Sequence, residues 1–177
     1  MGVGDYIPNF ILPNIEGKLI EAQQLLQENP LFLIFNRGYW HPYDSLKLWN
    51  LQNSRPGFLD TKTRPVLICP YVCPELIKIW QKQSANSEFL IDQNLDITRW
   101  FGLIQPISPT IASIYQQFGT QKPYPFHHKL ELIMNGVYEV NSEGIIIYEY
   151  NDLQHTKQFR STDCLLMQDE DYWLEFV

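Results

Sequence analysis

Residues 31–35 read Leu-Phe-Leu-Ile-Phe, an unbroken apolar run, and Gly38 and Pro42 follow closely behind it. A run of that length with no polar alternation predicts a strand buried on both faces. Gly38 marks the place where the chain turns. Pro42 suits the first position of a helix, where an amide proton has no intrahelical acceptor to lose. Leu46, Trp49 and Leu51 then supply an approximately helical apolar stripe. The segment therefore reads as strand, tight turn and helix. It sets His41, Pro42, Tyr43 and Asp44 at a helix N-terminus, where α/β proteins usually keep their chemistry.

The rest of the chain repeats the alternation. Residues Phe10 to Pro13 and Lys18 to Ile20 flank residues 14–17 and predict a short hairpin. Ala22 to Leu26 is read as a short helix. Pro65 to Cys69 is a second apolar strand, and Glu88 to Asp92 a third. Between them a helix starts near Tyr71 or Cys73, with Pro74 early, and runs to about Gln83. Asp96 to Phe101 is a helix with Asp96 as N-cap and Gly102 as stop. Pro109 to Phe118 is another, ended by Gly119. Residues 57–63 and 120–129 are loops. Leu132 to Asn141 and Gly144 to Tyr150 form a closing hairpin around Asn141-Ser142-Glu143-Gly144. Ser161 caps a last helix. This order predicts an α/β fold with a mixed central sheet, helices on both faces and an N-terminal β-hairpin. No repeat or low-complexity stretch interrupts it, so residues 1–177 are read as a single domain.

Charge and composition narrow the function. The net charge of −7 disfavours nucleic acid and anionic membranes as partners. No apolar run approaches the length of a membrane span. The three cysteines are an odd number and no secretory leader is legible, so a reduced, cytoplasmic protein is expected. Aromatic residues make up 14% of the chain, enough to predict aromatic packing or an aromatic-lined pocket.

The turn after the first apolar strand also carries a resemblance. Arg37-Gly38-Tyr39-Trp40-His41-Pro42-Tyr43-Asp44 resembles the Arg-Gly-x-Trp-Cys-Pro-Tyr-Cys active-site turn of peroxiredoxin-like proteins of the alkyl hydroperoxide reductase and thiol-specific antioxidant type. Supporting pieces lie in order along most of the chain: Gly4-Asp5-x-x-Pro8-x-Phe10-x-Leu12-Pro13, Phe101-Gly102-Leu103, and the strand and turn from Tyr138 to Gly144. The resemblance implies a thioredoxin fold of the peroxiredoxin-like kind. It also implies a peroxide-reacting cysteine at 41, a resolving cysteine at 44, and a proline, in cis, ahead of the strand facing the site. This chain has His41, Asp44 and Asn135 there instead. Imidazole cannot form a sulfenic acid, and no disulfide can close at Asp44. A trans bond is expected before Asn135, since cis costs roughly 3 kcal/mol at a non-proline residue.

Several readings of these residues stand side by side. His41, at a helix N-terminus, is expected to be neutral and able to donate a hydrogen bond, accept a proton or bind a metal; it also reads as a polar remnant of a lost thiol. Asp44 is one helical turn on, and reads as a partner of His41 or as an acid stabilising the first turn. Arg37 reads as an anion-binding group or a structural ion-pair member. Trp40, Tyr43 and Asn135 are expected to line the pocket with it. Cys69 and Cys73 offer an alternative redox pair, or two small core fillers. Cys164 reads as core. His127 and His128 are weak metal candidates with His41; the expectation is no metal and no cofactor. The function expected is a binding or regulatory module without peroxidase chemistry, taking a small anion or a protein partner, with a homodimer among the expected partners. Thiol-dependent oxidoreduction through Cys69 and Cys73, and non-redox acid–base catalysis by His41, are the alternatives.

Overall fold

The computed structural model describes residues 1–37, 62–72, 74–81, 87–106, 108–110, 113 and 131–151. Within them the order is β1 (Ile11–Pro13), β2 (Leu19–Glu21), α1 (Ala22–Glu28), β3 (Leu31–Phe35), β4 (Arg64–Cys69), α2 (Pro74–Trp80), β5 (Glu88–Ile91), α3 (Asp96–Trp100), β6 (Ile104–Pro106), β7 (Glu131–Ile133), β8 (Gly136–Val140) and β9 (Ile146–Asn151). Five strands form the central sheet, in the order β5-β4-β3-β8-β9. β3 runs parallel to β4 and antiparallel to β8, so the sheet is mixed. This is the mixed-sheet α/β architecture that the alternation of strands and helices predicts, and it agrees with the thioredoxin-like fold that the resemblance implies.

The two-sided burial of β3 follows from its sequence. All five of its residues are buried. Leu31, Leu33 and Phe35 join one core with Val66, Ile68, Tyr138 and Val140, under the β1–β2 hairpin, α1 and α3. Phe32 and Ile34 join a second core with Leu67, Phe89, Leu76 and Trp80, so α2 covers the opposite face. Burying a side chain of this size contributes roughly 1.5–3 kcal/mol, and here each one counts toward one of two layers. Pro74 is the first residue of α2, the position where its missing amide proton costs nothing.

Both hairpins close with the same chemistry. Asn14 Oδ1 accepts from the amides of Glu16 and Lys18, each at 3.0 Å. Asn141 Oδ1 accepts from those of Glu143 and Ile145 at 3.0 and 2.9 Å. An asparagine side chain thus stands in for a backbone carbonyl at each turn.

Three sequence expectations need correction. Asp96 does not cap α3; it is the first helical residue, and Leu95, with φ +62°, precedes it. The capping is done from further back by Asp92, which is buried. Its carboxylate accepts from the Thr98 amide at 2.7 Å, the Thr98 hydroxyl at 2.6 Å and the Ile97 amide at 3.4 Å. The third strand stops one residue early, at Ile91, although the Asp92 amide still donates to the Cys69 carbonyl at 2.8 Å. The single strand expected from Leu132 to Asn141 is two strands. β7 turns away to pair with β6, the Met134 amide donates to the Leu103 carbonyl at 2.7 Å, and β8 begins anew at Gly136. Of the expected helix Pro109 to Phe118, residues 109, 110 and 113 are helical and the rest lies outside the described residues, as does the helix at Ser161. Among the described residues no helix is long and apolar enough to cross a membrane.

Gly136 is required by space rather than by backbone angle. A Cβ there would lie 2.7 Å from Leu103 Cδ1 and 2.9 Å from Tyr138 Cε2. Gly136→Ala is therefore expected to destabilise the protein by about 1–3 kcal/mol. Urea unfolding measures this; an unchanged midpoint would mean that Leu103 and Tyr138 yield freely. Glu139 is a second local conflict, an acid buried on β8 between Phe32 and Tyr148. Burial raises its pKa above the usual carboxylate value. The sign follows. The carboxyl is easily carried into the fold while protonated, and that advantage is lost as pH rises through the raised folded pKa. Glu139→Gln should accordingly be more stable than wild type at neutral pH and should lose its advantage in acid. Unfolding midpoints across that range check it.

Candidate functional site

The candidate site lies where β3 and β4 end and β8 begins. The ladder closes on Phe35, which is paired with Ile68 on one side and Gly136 on the other. The Asn36 amide extends the parallel side by one more bond, to the Ile68 carbonyl at 3.0 Å. One register step past the Phe35–Gly136 pair, Asn36 comes level with Asn135, and Arg37 follows. All three are buried; Arg37 is only 2% exposed. The Met134–Asn135 bond is trans, as every bond among the described residues is. A sheet end is an unusual place for so many buried polar side chains, because each must recover the hydrogen bonds it lost to water. A guanidinium enclosed to this degree needs acceptors around it and gives the sheet end a fixed positive charge.

Cys69, the last residue of β4, sits on the α2 side of the same edge. It is a thiol, 1% exposed, and its Sγ donates a weak hydrogen bond to Asn36 Oδ1 at 3.9 Å. Its carbonyl accepts from the Asp92 amide at 2.8 Å, linking the ends of β4 and β5. Cys69 is thus enclosed by the second core, whereas a thiolate nucleophile needs access and a positive or donor-rich surrounding.

Beneath this edge lies an aromatic floor. Phe35, Phe101 and Tyr138 meet with ring centroids 4.7 Å apart for Phe35–Phe101, 4.8 Å for Phe101–Tyr138 and 5.8 Å for Phe35–Tyr138. Sequence reasoning anticipated aromatic packing but looked for it in the turn. The signal it missed is positional: Phe35 and Tyr138 fall on the inward face of paired strands, and Phe101 ends α3.

Of the residues singled out in the sequence, the structure brings Arg37, Asn135 and Cys69 to one sheet edge. His41, Asp44, Trp40, Tyr43, Cys73, His127, His128 and Cys164 lie outside the described residues. Among the described residues no three His, Cys, Asp or Glu side chains gather in a group that could hold a metal ion.

The burial of Cys69 has a direct readout. In the native protein its thiol is expected to escape alkylation by iodoacetamide over a time in which an exposed thiol reacts fully, and to react once the protein is unfolded. Peptide mapping by mass spectrometry distinguishes it from Cys73 and Cys164; rapid native labelling at Cys69 would show that this sheet edge opens.

No protein-family profile and no curated protein matches the chain. Solved structures do. The chain is similar to the peroxidoxin BcpB from Mycobacterium tuberculosis, at 15% identity over 85% of each chain with a TM-score of 0.62. It is similar to PrxQ from Xylella fastidiosa, at 13% identity over 87% of each chain with a TM-score of 0.63. It is also similar to reduced Prx3 from Vibrio vulnificus, at 14% identity over 94% of this chain and 96% of that one, with a TM-score of 0.61. At these identities the likeness is one of fold: a thioredoxin-like fold shared with peroxiredoxins.

Proposed function

We propose that this redoxin-like protein is a binding or regulatory module that has given up peroxidase chemistry at the turn after β3 and keeps that turn as an anion site. One observation carries the reading: from Arg37 to Asp44 the turn contains no sulfur, with His41 and Asp44 where the resembled turn has its two cysteines. Two further facts support it. Arg37 is retained and enclosed at the root of the turn. Cys69 is buried, which speaks against the alternative in which Cys69 and Cys73 take over the redox work. The module works in the cytoplasm, alone or as a homodimer, on a small carboxylate, sulfate or phosphate or on an acidic partner protein. Arg37 is the host, and the helix start that the sequence predicts at Pro42 would add backbone amides near His41.

Two measurements test this. Purified protein with hydrogen peroxide and a dithiol reductant should show no turnover above the reductant alone; turnover at the rate of a working peroxiredoxin overturns the loss of chemistry. Calorimetry with inorganic phosphate should show binding to wild type, weakened about tenfold or more in Arg37→Gln, since a hydrogen bond to a charged group contributes about 1.5–3 kcal/mol. Asp44→Asn should strengthen binding if that carboxylate competes for the same field. Phosphate that binds none of the three proteins overturns the anion site.

A further inference from the structure

A second polar place lies on the hairpin side of the sheet, between β8 and the edge strand β9. Tyr138 and Glu149 stand directly opposite one another in the β8–β9 register. The Tyr138 ring is fully buried and leans along its strand over Gly136. Its hydroxyl and Glu149 Oε2 are both shut off from solvent, and neither has a hydrogen-bond partner among the described residues. Asn151, two residues along β9 on the same face, is near enough to pull the pKa of the phenol down. Gly2 lies against the same carboxylate, close enough that a Cβ on it would lie 3.4 Å from Glu149 Oε2.

The needs of the two atoms are complementary. The hydroxyl has a proton to give, and the carboxylate oxygen can only accept. A guest that satisfies both must accept from one and donate to the other. An ammonium group or a metal ion cannot accept the phenol proton. An anion meets the charge of Glu149. Water does both, and two to four polar partners are what a buried water requires. We propose that a single water molecule is bound here as part of the fold, accepting from Tyr138 Oη, donating to Glu149 Oε2 and sharing a third bond with the Asn151 amide. The phenol keeps its proton over the whole working range, because burial first, and the Glu149 charge after it, push its pKa up to about 12 against the opposing pull of Asn151. The donor is therefore always present. The bridge fastens the edge strand to β8 just beyond Gly136, where β8 meets the candidate site.

A double-mutant cycle on the full chain tests the proposal, with thermal unfolding at neutral pH as the readout. Tyr138→Phe should lower the melting temperature by about 2–4 °C, because a satisfied hydroxyl is lost and the water loses a partner. Glu149→Met should also lower it, and the double variant should lose less than the sum of the two, since both act through one water. A Tyr138→Phe protein as stable as wild type, or more stable, overturns the proposal, because removing a stranded hydroxyl relieves a cost. Strict additivity overturns it too. A high-resolution crystal structure decides independently of how the variants fold: density for a water between the two oxygens supports the bridge, and a direct Tyr138–Glu149 hydrogen bond in its place overturns it.

Discussion

The pairing of β3 on both edges and its burial on both faces is the constraint on which the other elements depend. A strand with no free edge and no wet face cannot exist without neighbours. β4 and β8 satisfy its backbone from the two sides, and the hairpin, α1 and α3 against α2 satisfy its side chains from above and below. The polar residues that follow inherit this rigidity. Asn36 and Arg37 emerge from a strand that cannot shift register without moving every apolar side chain to the wrong face. Whatever Arg37 meets, it meets it from a fixed origin.

Burial in the rest of the sheet is less uniform, and the exceptions cluster. Asp92, Asn36, Arg37 and Asn135 are all buried polar groups at the same end of the sheet. Asp92 is fully accounted for by Thr98 and Ile97, so its role is architectural: it starts α3 and thereby places Phe101 against Phe35. Two corners are held by charge. Arg64 reaches both Glu28 and Glu88, tying the end of α1 to the start of β5 across the foot of β4, and Arg99 on α3 meets Glu131 on β7 at 3.1 Å. Exposed pairs of the second kind contribute little individually, so their value lies in direction more than in strength.

Much of this was legible in the sequence. The apolar runs at 31–35 and 65–69, the proline at the head of α2 and the asparagine-led turns each point locally to what they form, and those local preferences agree with the global fold. What was not legible depended on partners distant in the chain. Nothing near Leu132 announces that the strand breaks at Met134 to pair with residues 104–106, because the cause is a hydrogen bond to Leu103. The capping role of Asp92 was hidden behind Asp96, a residue of the same type at a more conventional spacing. For the site, the sequence named Arg37, Asn135 and Cys69, which share one edge; of its two readings of Cys69, redox partner or core filler, the packing of α2 over the end of β4 favours the second.

The β6–β7 pair has a consequence for how the protein can change. Pro106 and Glu131, which bracket residues 107–130 in the sequence, are paired with each other. The two ends of that segment are therefore stitched into a two-stranded neck, braced by the Arg99–Glu131 contact. Length and composition beyond the neck are insulated from the register of β8. A chain built this way can change the length and sequence of that segment while the sheet that carries Arg37 and Asn135 keeps its register.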